Sequence, residues 1–223
     1  MSSYPRAKID TVLFDLDGTL VDTAPDMGYA LNELLREYGR EPLAAAAIRP
    51  YVSHGSRGLI FVGFGEEPDG NRFDEYKTRF LELYENHVCV GSRLFEGMEG
   101  VIDYLEDREL PWGIVTNKPH DLTRALLEAL DLDRRAACVV SGDTIPERKP
   151  HPGPLLHACR ELNRPPELCV YVGDAQRDIE AGTRAGMATL VALFGYLDER
   201  DEPATWGATG LIEQPEEIIP WVS

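Results

Sequence analysis

Positive charge is what this chain most lacks. Of its 223 residues, 22 are Lys or Arg against 39 Asp or Glu, which leaves a formal net charge of −17 and a pI near 4.6. That balance repels nucleic acid and anionic membrane surfaces and argues against both as partners. Long apolar runs are missing as well. None reaches the roughly 18 residues that span a bilayer, and no signal-type apolar stretch lies near the N-terminus, so a soluble, cytoplasmic protein is expected. Cysteine is scarce: Cys89, Cys138, Cys159 and Cys169 form no Cys-x-x-Cys pair and no metal-type spacing. They read as free thiols in a reducing compartment rather than as a disulfide frame or a zinc site. No internal repeat or low-complexity tract is evident.

What is present is enough apolar matter for a core, 43% of residues. The length exceeds the roughly 150 residues of a typical single domain, which suggests one domain plus a substantial insertion. The most informative segment is Val12-Leu13-Phe14-Asp15-Leu16-Asp17-Gly18-Thr19-Leu20. An apolar, strand-type run delivers two carboxylates, two residues apart, into a Gly-Thr turn. Ligands of parallel α/β sheets bind outside the carboxyl ends of strands, so such side chains would project into the active-site crevice. Alone, Asp-x-Asp reads more readily as a solvated turn.

Three downstream segments change that reading. Trp112-Gly113-Ile114-Val115 runs into Thr116-Asn117-Lys118-Pro119, a hydroxyl and an amide at a strand end. Val170-Tyr171-Val172 runs into Gly173-Asp174-Ala175-Gln176-Arg177-Asp178, two carboxylates spaced four apart at a strand-to-helix junction. Between them, Glu147-Arg148-Lys149-Pro150 sets a lysine before a proline that cannot continue a helix. The chain has only four lysines, and Lys118 and Lys149 both fall in these segments. Lys118 reads equally well as a solvated turn residue.

The pattern alternates strands and helices. Met27, Leu31, Leu34, Leu35 and Tyr38 make one apolar helical face, and Phe73, Tyr76, Phe80, Leu83, Tyr84 and His87 make another. Asp15 and Thr116 are about a hundred residues apart, whereas a βαβ unit needs roughly thirty. The excess predicts an inserted helical cap over 22–92, with 93–100 as the return hinge. The fold class expected is α/β: a doubly wound, parallel-sheet, Rossmann-like hydrolase core of residues 1–21 and 93–223 carrying a small helical cap. After Val115 the expected elements are helix 121–130, strand 137–140, helix 153–162, strand 169–172, helix 178–185, strand 189–193, a short strand near Leu211 and a helix from Pro215. Residues 198–210 read as a loop.

The four polar segments resemble the signature set of the haloacid dehalogenase superfamily, a group dominated by magnesium-dependent phosphatases, and the resemblance covers nearly the whole chain. It implies Asp15 as nucleophile, Asp17 as general acid and base, Thr116 and Asn117 as the phosphate-binding pair, and Lys149 as the charge-neutralising lysine. It also implies a Mg2+ site of Asp15, the Asp17 backbone carbonyl and Asp174, with Asp178 in support. The chemistry suits these residue types. Attack by a carboxylate splits one hard displacement into two easier ones, and magnesium prefers a few carboxylates plus substrate phosphate. Relatives that displace halide need no acid two residues after the nucleophile, so Asp17 argues for phosphoryl transfer. Phosphonate-cleaving relatives use a cap lysine, and the one candidate, Lys77, lies in a helix-like stretch where a solvated charge is expected.

Specificity should come from the cap. Ser53-His54-Gly55-Ser56-Arg57-Gly58 is a polar, Gly-flanked cluster in which Arg57 could hold a carboxylate bidentately, with His54 beside it and Gly55 allowing close backbone approach. A solvated helix-start loop is the alternative. Leu94 to Met98, Thr116 to Pro119, Phe194-Gly195-Tyr196 and Trp206-Gly207-Ala208 look most like the phosphoglycolate phosphatase branch, and also like enzymes acting on N-acetylmuramic acid 6-phosphate. The partner expected is therefore a small phosphorylated metabolite. A β-phosphoglucomutase-like phosphomutase and a catalytically idle binding protein on the same scaffold remain as alternatives.

Overall fold

The structure, a computed structural model, describes residues 8–65 and 70–222; the expected core's residues 1–7 and 223 and the expected cap's residues 66–69 lie outside the described residues. Six strands form one parallel sheet: β1 (Thr11–Phe14), β4 (Trp112–Val115), β5 (Cys138–Val140), β6 (Cys169–Gly173), β7 (Ala188–Ala192) and β8 (Gly210–Ile212). Their order across the sheet is β5-β4-β1-β6-β7-β8. The chain therefore builds outward from β1 on one side, then returns and builds outward on the other. The crevice created by that reversal lies at the carboxyl ends of the strands flanking β1.

Both faces of the sheet are covered, which is why its strands read as continuous apolar runs. Val12 and Phe14 pack with Trp112, Met98, Ile102 and Leu126 on one face, drawing on α5 (Met98–Asp107) and α6 (His120–Ala129). Leu13 packs with Tyr171, Leu155 and Ala181 on the other, against α7 (Gly153–Leu162) and α8 (Gln176–Ala185). Phe14 meets Trp112 edge to face, with ring centroids 6.2 Å apart.

A two-residue ribbon, β2 (Val21–Asp22) against β3 (Arg93–Leu94), carries the chain out of the core and back. Between its strands lie α1 (Ala24–Glu37), α2 (Ala45–Ile48), a 3-10 helix over Arg49–His54, α3 (Gly55–Phe64) and α4 (Phe73–Glu85). Leu31, Leu34 and Leu35 of α1 close over Phe73, Phe80 and Tyr84 of α4, and Leu122 and Tyr196 of the sheet-bearing part complete that cluster.

Three expectations need correction. The return hinge is shorter than 93–100, because α5 begins at Met98, one residue after Gly97, whose φ is 88°. The 53–58 cluster is helical: it ends the Arg49–His54 turn and opens α3. Glycine lowers helix propensity and hides that helix in the sequence, yet Gly58 is needed there, since a Cβ would lie 2.5 Å from the His54 Cβ. The C-terminal helix is a 3-10 helix, Pro215–Trp221, as suits a segment whose internal Pro220 removes a backbone donor.

Candidate active site

Because β4, β1 and β6 are neighbours, Thr116, Asp15 and Asp174 emerge side by side at their carboxyl ends. The Asp15 amide donates to the Val172 carbonyl at 2.9 Å, so the ladder holds the aspartate's backbone in register with β6. The following turn presses on the same strand end. Gly18 has φ 88°, and a Cβ there would fall 2.1 Å from Asp174 Oδ2. Only glycine satisfies both the left-handed turn and that approach.

Asp15, Asp174 and Asp178 are buried and each brings an oxygen within 4.8 Å of the others. Lys149, itself buried, stands 2.8 Å from Asp15 Oδ1 and 2.8 Å from Asp178 Oδ1. The Tyr171 hydroxyl accepts from Lys149 Nζ at 2.7 Å and donates to the Val115 carbonyl at 2.7 Å, which pins the ammonium between the carboxylates. Burial, only partly offset by Lys149, raises Asp15 above the usual carboxylate range, and the charge of Asp178 raises it further. Asp174 is pushed up to about 7 by burial and by the charges of Asp15 and Asp178.

Asp174 also supplies the test of a metal. Its Oδ2 accepts from Ser53 Oγ at 2.5 Å and from the Tyr196 amide at 2.9 Å, whereas its Oδ1 is buried without a hydrogen-bond partner among the described residues. A buried, unpartnered carboxylate oxygen is costly. Set among two further carboxylates, it forms the hard-oxygen donor set that magnesium favours. Asp178 Oδ2 takes the Ala175 amide at 3.1 Å, and its Oδ1, likewise without a hydrogen-bond partner among the described residues, faces the Lys149 ammonium at 2.8 Å.

Asp17 lies beside this cluster. Its Oδ1 accepts from Thr23 Oγ1 at 2.7 Å and from Lys118 Nζ at 2.9 Å. The solvated-turn reading of Lys118 is therefore overturned: the residue is 8% exposed, its Nζ also donates to the Tyr84 hydroxyl at 2.9 Å, and it lies over the Tyr84 ring. Burial works against the ammonium, but Asp17 and Tyr84 outweigh it and hold Lys118 above its ordinary pKa. The Thr116 hydroxyl accepts from the Lys118 amide at 3.1 Å, so its own proton is left to donate elsewhere. Asn117, expected to bind phosphate, lies on the cavity wall and has a second engagement. Its carboxamide donates to the Lys149 carbonyl and accepts from the Lys149 amide, both at 3.0 Å, so this side chain anchors the lysine-bearing loop.

These groups open on one cavity of about 770 Å³ whose wall includes Asp15, Asp17, Thr116, Asn117 and Lys118 from the strand ends, and His54, Gly55 and Arg57 from the cap. Lys77 also reaches this wall although exposed, so its helix faces the cavity as well as solvent. Desolvation and the Arg177 guanidinium push His54 below its ordinary pKa. Sequence reasoning missed Arg177, Ser53, Thr23, Tyr84 and Tyr196. Arg177 Nη2 donates to the Ser53 carbonyl at 2.6 Å while Ser53 Oγ reaches Asp174, so one cap turn is fastened to the β6 loop twice. The signal for Arg177 was its place inside the Gly173 to Asp178 segment. Tyr84 gave none beyond its place on an apolar helical face.

The chain matches the family model of haloacid dehalogenase-like hydrolases over residues 12–192. It is 45% identical over 214 residues to a phosphoglycolate phosphatase of Xylella fastidiosa, covering 96% of this chain and 91% of the relative. It is 37% identical over 211 residues to the N-acetylmuramic acid 6-phosphate phosphatase of Pseudomonas putida, covering 95% of each. Among solved structures, a protein of Haemophilus somnus described as a predicted phosphoglycolate phosphatase superposes with a TM-score of 0.84 at 25% identity, covering 96% of this chain and 98% of its own.

Proposed function

This chain belongs to the haloacid dehalogenase-like hydrolase family and is a phosphatase; from that premise we propose that it is a magnesium-dependent phosphomonoesterase working through an aspartyl-phosphate intermediate on a small phosphorylated carboxylic acid such as 2-phosphoglycolate. The observation that carries this reading is the buried cluster of Asp15, Asp174, Asp178 and Lys149 beside a cavity that Asp15 and Asp17 enter. Asp15 attacks phosphorus as the ester oxygen leaves; Asp17 gives that oxygen a proton and later takes one from the water that cleaves the acyl phosphate. Thr116 donates its free hydroxyl proton to a phosphoryl oxygen, and Lys149 offsets the charge gathering there. Asp15, Asp174 and the Asp17 carbonyl would hold a magnesium ion, with Asp178 steadying Lys149 and the β6 loop. The metal supplies Lewis-acid neutralisation of the phosphate charge.

The division into a core of 1–21 and 93–223 and a cap of 22–92 belongs to the same proposal, and the β2–β3 ribbon supports it. On the cap, Arg57 and His54 are the groups proposed for a carboxylate that reaches the cap, Gly55 letting the backbone approach. A second reading, a phosphorylated sugar acid such as N-acetylmuramic acid 6-phosphate, is favoured by the cavity's size and by its apolar wall of Met27, Val52, Phe73, Phe80 and Leu122. The deciding experiment is phosphate release from 2-phosphoglycolate, N-acetylmuramic acid 6-phosphate and neutral sugar phosphates, with magnesium and with excess chelator. Turnover of an acid substrate only with magnesium is expected. Undiminished turnover in chelator defeats the metal assignment, and no preference for acids defeats the substrate class.

A further inference from the structure

We propose that Lys118 is a specificity-determining residue that selects substrates whose carboxylate lies one carbon from the phosphate ester oxygen. The inference rests on the phosphomonoesterase reading, with Asp17 as the acid on the leaving group. An acid that protonates an ester oxygen must come within about 2.6 to 3.2 Å of it. In 2-phosphoglycolate a single methylene separates that oxygen from the carboxylate, so the substrate's second negative group is delivered against Asp17. Two carboxylates in a water-poor pocket repel strongly. The substrate is tolerated there only if a cation touches both.

Among the described residues, Lys118 is the cation in contact with Asp17, at 2.9 Å from Oδ1 and 3.3 Å from Oδ2. The other cations on the cavity wall are placed differently. Arg177 is bonded to the Ser53 carbonyl, Arg148 Nε to the Gly142 carbonyl at 2.6 Å, and Arg57 and Lys77 are exposed on the cap helices. Lys149 stands between Asp15 and Asp178, on the nucleophile's side of the site. Lys118 is held from both walls, by Asp17 below and by the Tyr84 hydroxyl of α4 above, and its backbone amide is tied to Thr116. The ammonium is thus fixed beside the acid, on a residue whose backbone amide bonds the Thr116 hydroxyl. Its longer contact to Asp17 Oδ2 is the one a substrate carboxylate would replace. Arg57 is then left for carboxylates carried farther from the ester, as on a sugar acid.

Three esters test this: 2-phosphoglycolate, ethyl phosphate, which has a methyl group in place of the carboxylate, and phosphorylated 3-hydroxypropanoate, which sets the carboxylate one methylene farther out. With magnesium present, the parent enzyme is expected to favour 2-phosphoglycolate over both in kcat/KM by about 10- to 150-fold, the range of one charge-assisted hydrogen bond. Lys118→Met keeps the stem's length and removes the charge, and should erase that preference chiefly through KM. Lys118→Arg retains charge on a longer fork and should move the preference toward the three-carbon acid. A preference that survives in Lys118→Met, all esters falling together, overturns the assignment and leaves Lys118 as a support for Asp17. No preference in the parent enzyme overturns both this assignment and the two-carbon substrate reading. Because the parent's ester series needs no variant, a Lys118→Met protein that fails to fold still leaves that series and Lys118→Arg to decide.

Discussion

A carboxylate that attacks phosphorus has to be an anion pressed against another anion, and the residues around Asp15 answer that problem one atom at a time. Lys149 and the Leu16 amide both engage Oδ1, and the Tyr171 hydroxyl keeps the lysine from turning away. Asp15→Asn retains the shape and removes the proposed nucleophile. Its turnover should fall by at least about a thousandfold with the fold intact, as loss of a positioned catalytic group requires. Phosphate release and circular dichroism check it, and turnover within about tenfold of the parent would sink the assignment. Lys149→Ala strands two buried carboxylates, so rate and phosphate affinity should drop together, by roughly a hundredfold in kcat/KM. Lys149→Arg should recover only part of that, because a planar fork does not replace a compact ammonium inside this pocket.

At the scale of elements, two carboxylates near the β2–β3 ribbon hold the segments around it. Asp26, buried in the first turn of α1, accepts from the Gly91 amide, the Ser92 amide and the Ser92 hydroxyl, each at 2.8 Å or less. Asp22, in the outgoing strand of the ribbon, takes both a charge-assisted bond from Arg49 and the Tyr196 hydroxyl. Asp26→Asn turns one acceptor into a donor facing donors. It should lower stability by about 2 to 3 kcal/mol, read as a shift in denaturant midpoint, and an unchanged midpoint would show that the return segment is held by other means. On the cap's cavity wall, Arg57→Ala should reduce kcat/KM for N-acetylmuramic acid 6-phosphate by about 10- to 150-fold while sparing p-nitrophenyl phosphate. A uniform loss on both would make Arg57 structural.

For the whole molecule, the excess of negative charge meets its sharpest local form in the carboxylate cluster. Asp174 is pushed from the ordinary 3.8 up to about 7, so between those values the folded metal-free protein holds a proton that the unfolded chain has released. The stability tied to that proton is full below about pH 4 and is lost as pH rises through about 7. Metal-free protein should therefore melt at a lower temperature near pH 8 than near pH 5.5. Magnesium should restore it near pH 8 and add little near pH 5.5, where the ion must displace the proton. Calorimetry at the two pH values, with and without magnesium, checks this. A magnesium effect equal at both would dissociate Asp174 from the metal site.

The order of apolar runs and polar strand ends determined, before any coordinates, that this is an α/β sheet, and it pointed to the polar residues after Val12 to Phe14, Gly113 to Val115 and Cys169 to Val172 as the candidate site. Runs buried on both faces cannot be mistaken for amphipathic surface, and carboxylates placed just beyond them have few structural uses. Tertiary structure alone decided the rest. The helix from Gly55 is masked by glycines that its packing needs, and the start of α5 at Met98 is fixed by the left-handed Gly97. Lys118 read equally as a site residue and as a turn lysine, because Asp17 and Tyr84 reach it only when β1, β4 and the cap helix α4 come together. Asn117 read as a phosphate-binding amide, and only the fold shows that its carboxamide also bonds the backbone of Lys149. A local pattern records which face a residue turns to the core, whereas the partner of a buried charge depends on residues about a hundred positions away, and that pairing exists only in the folded chain.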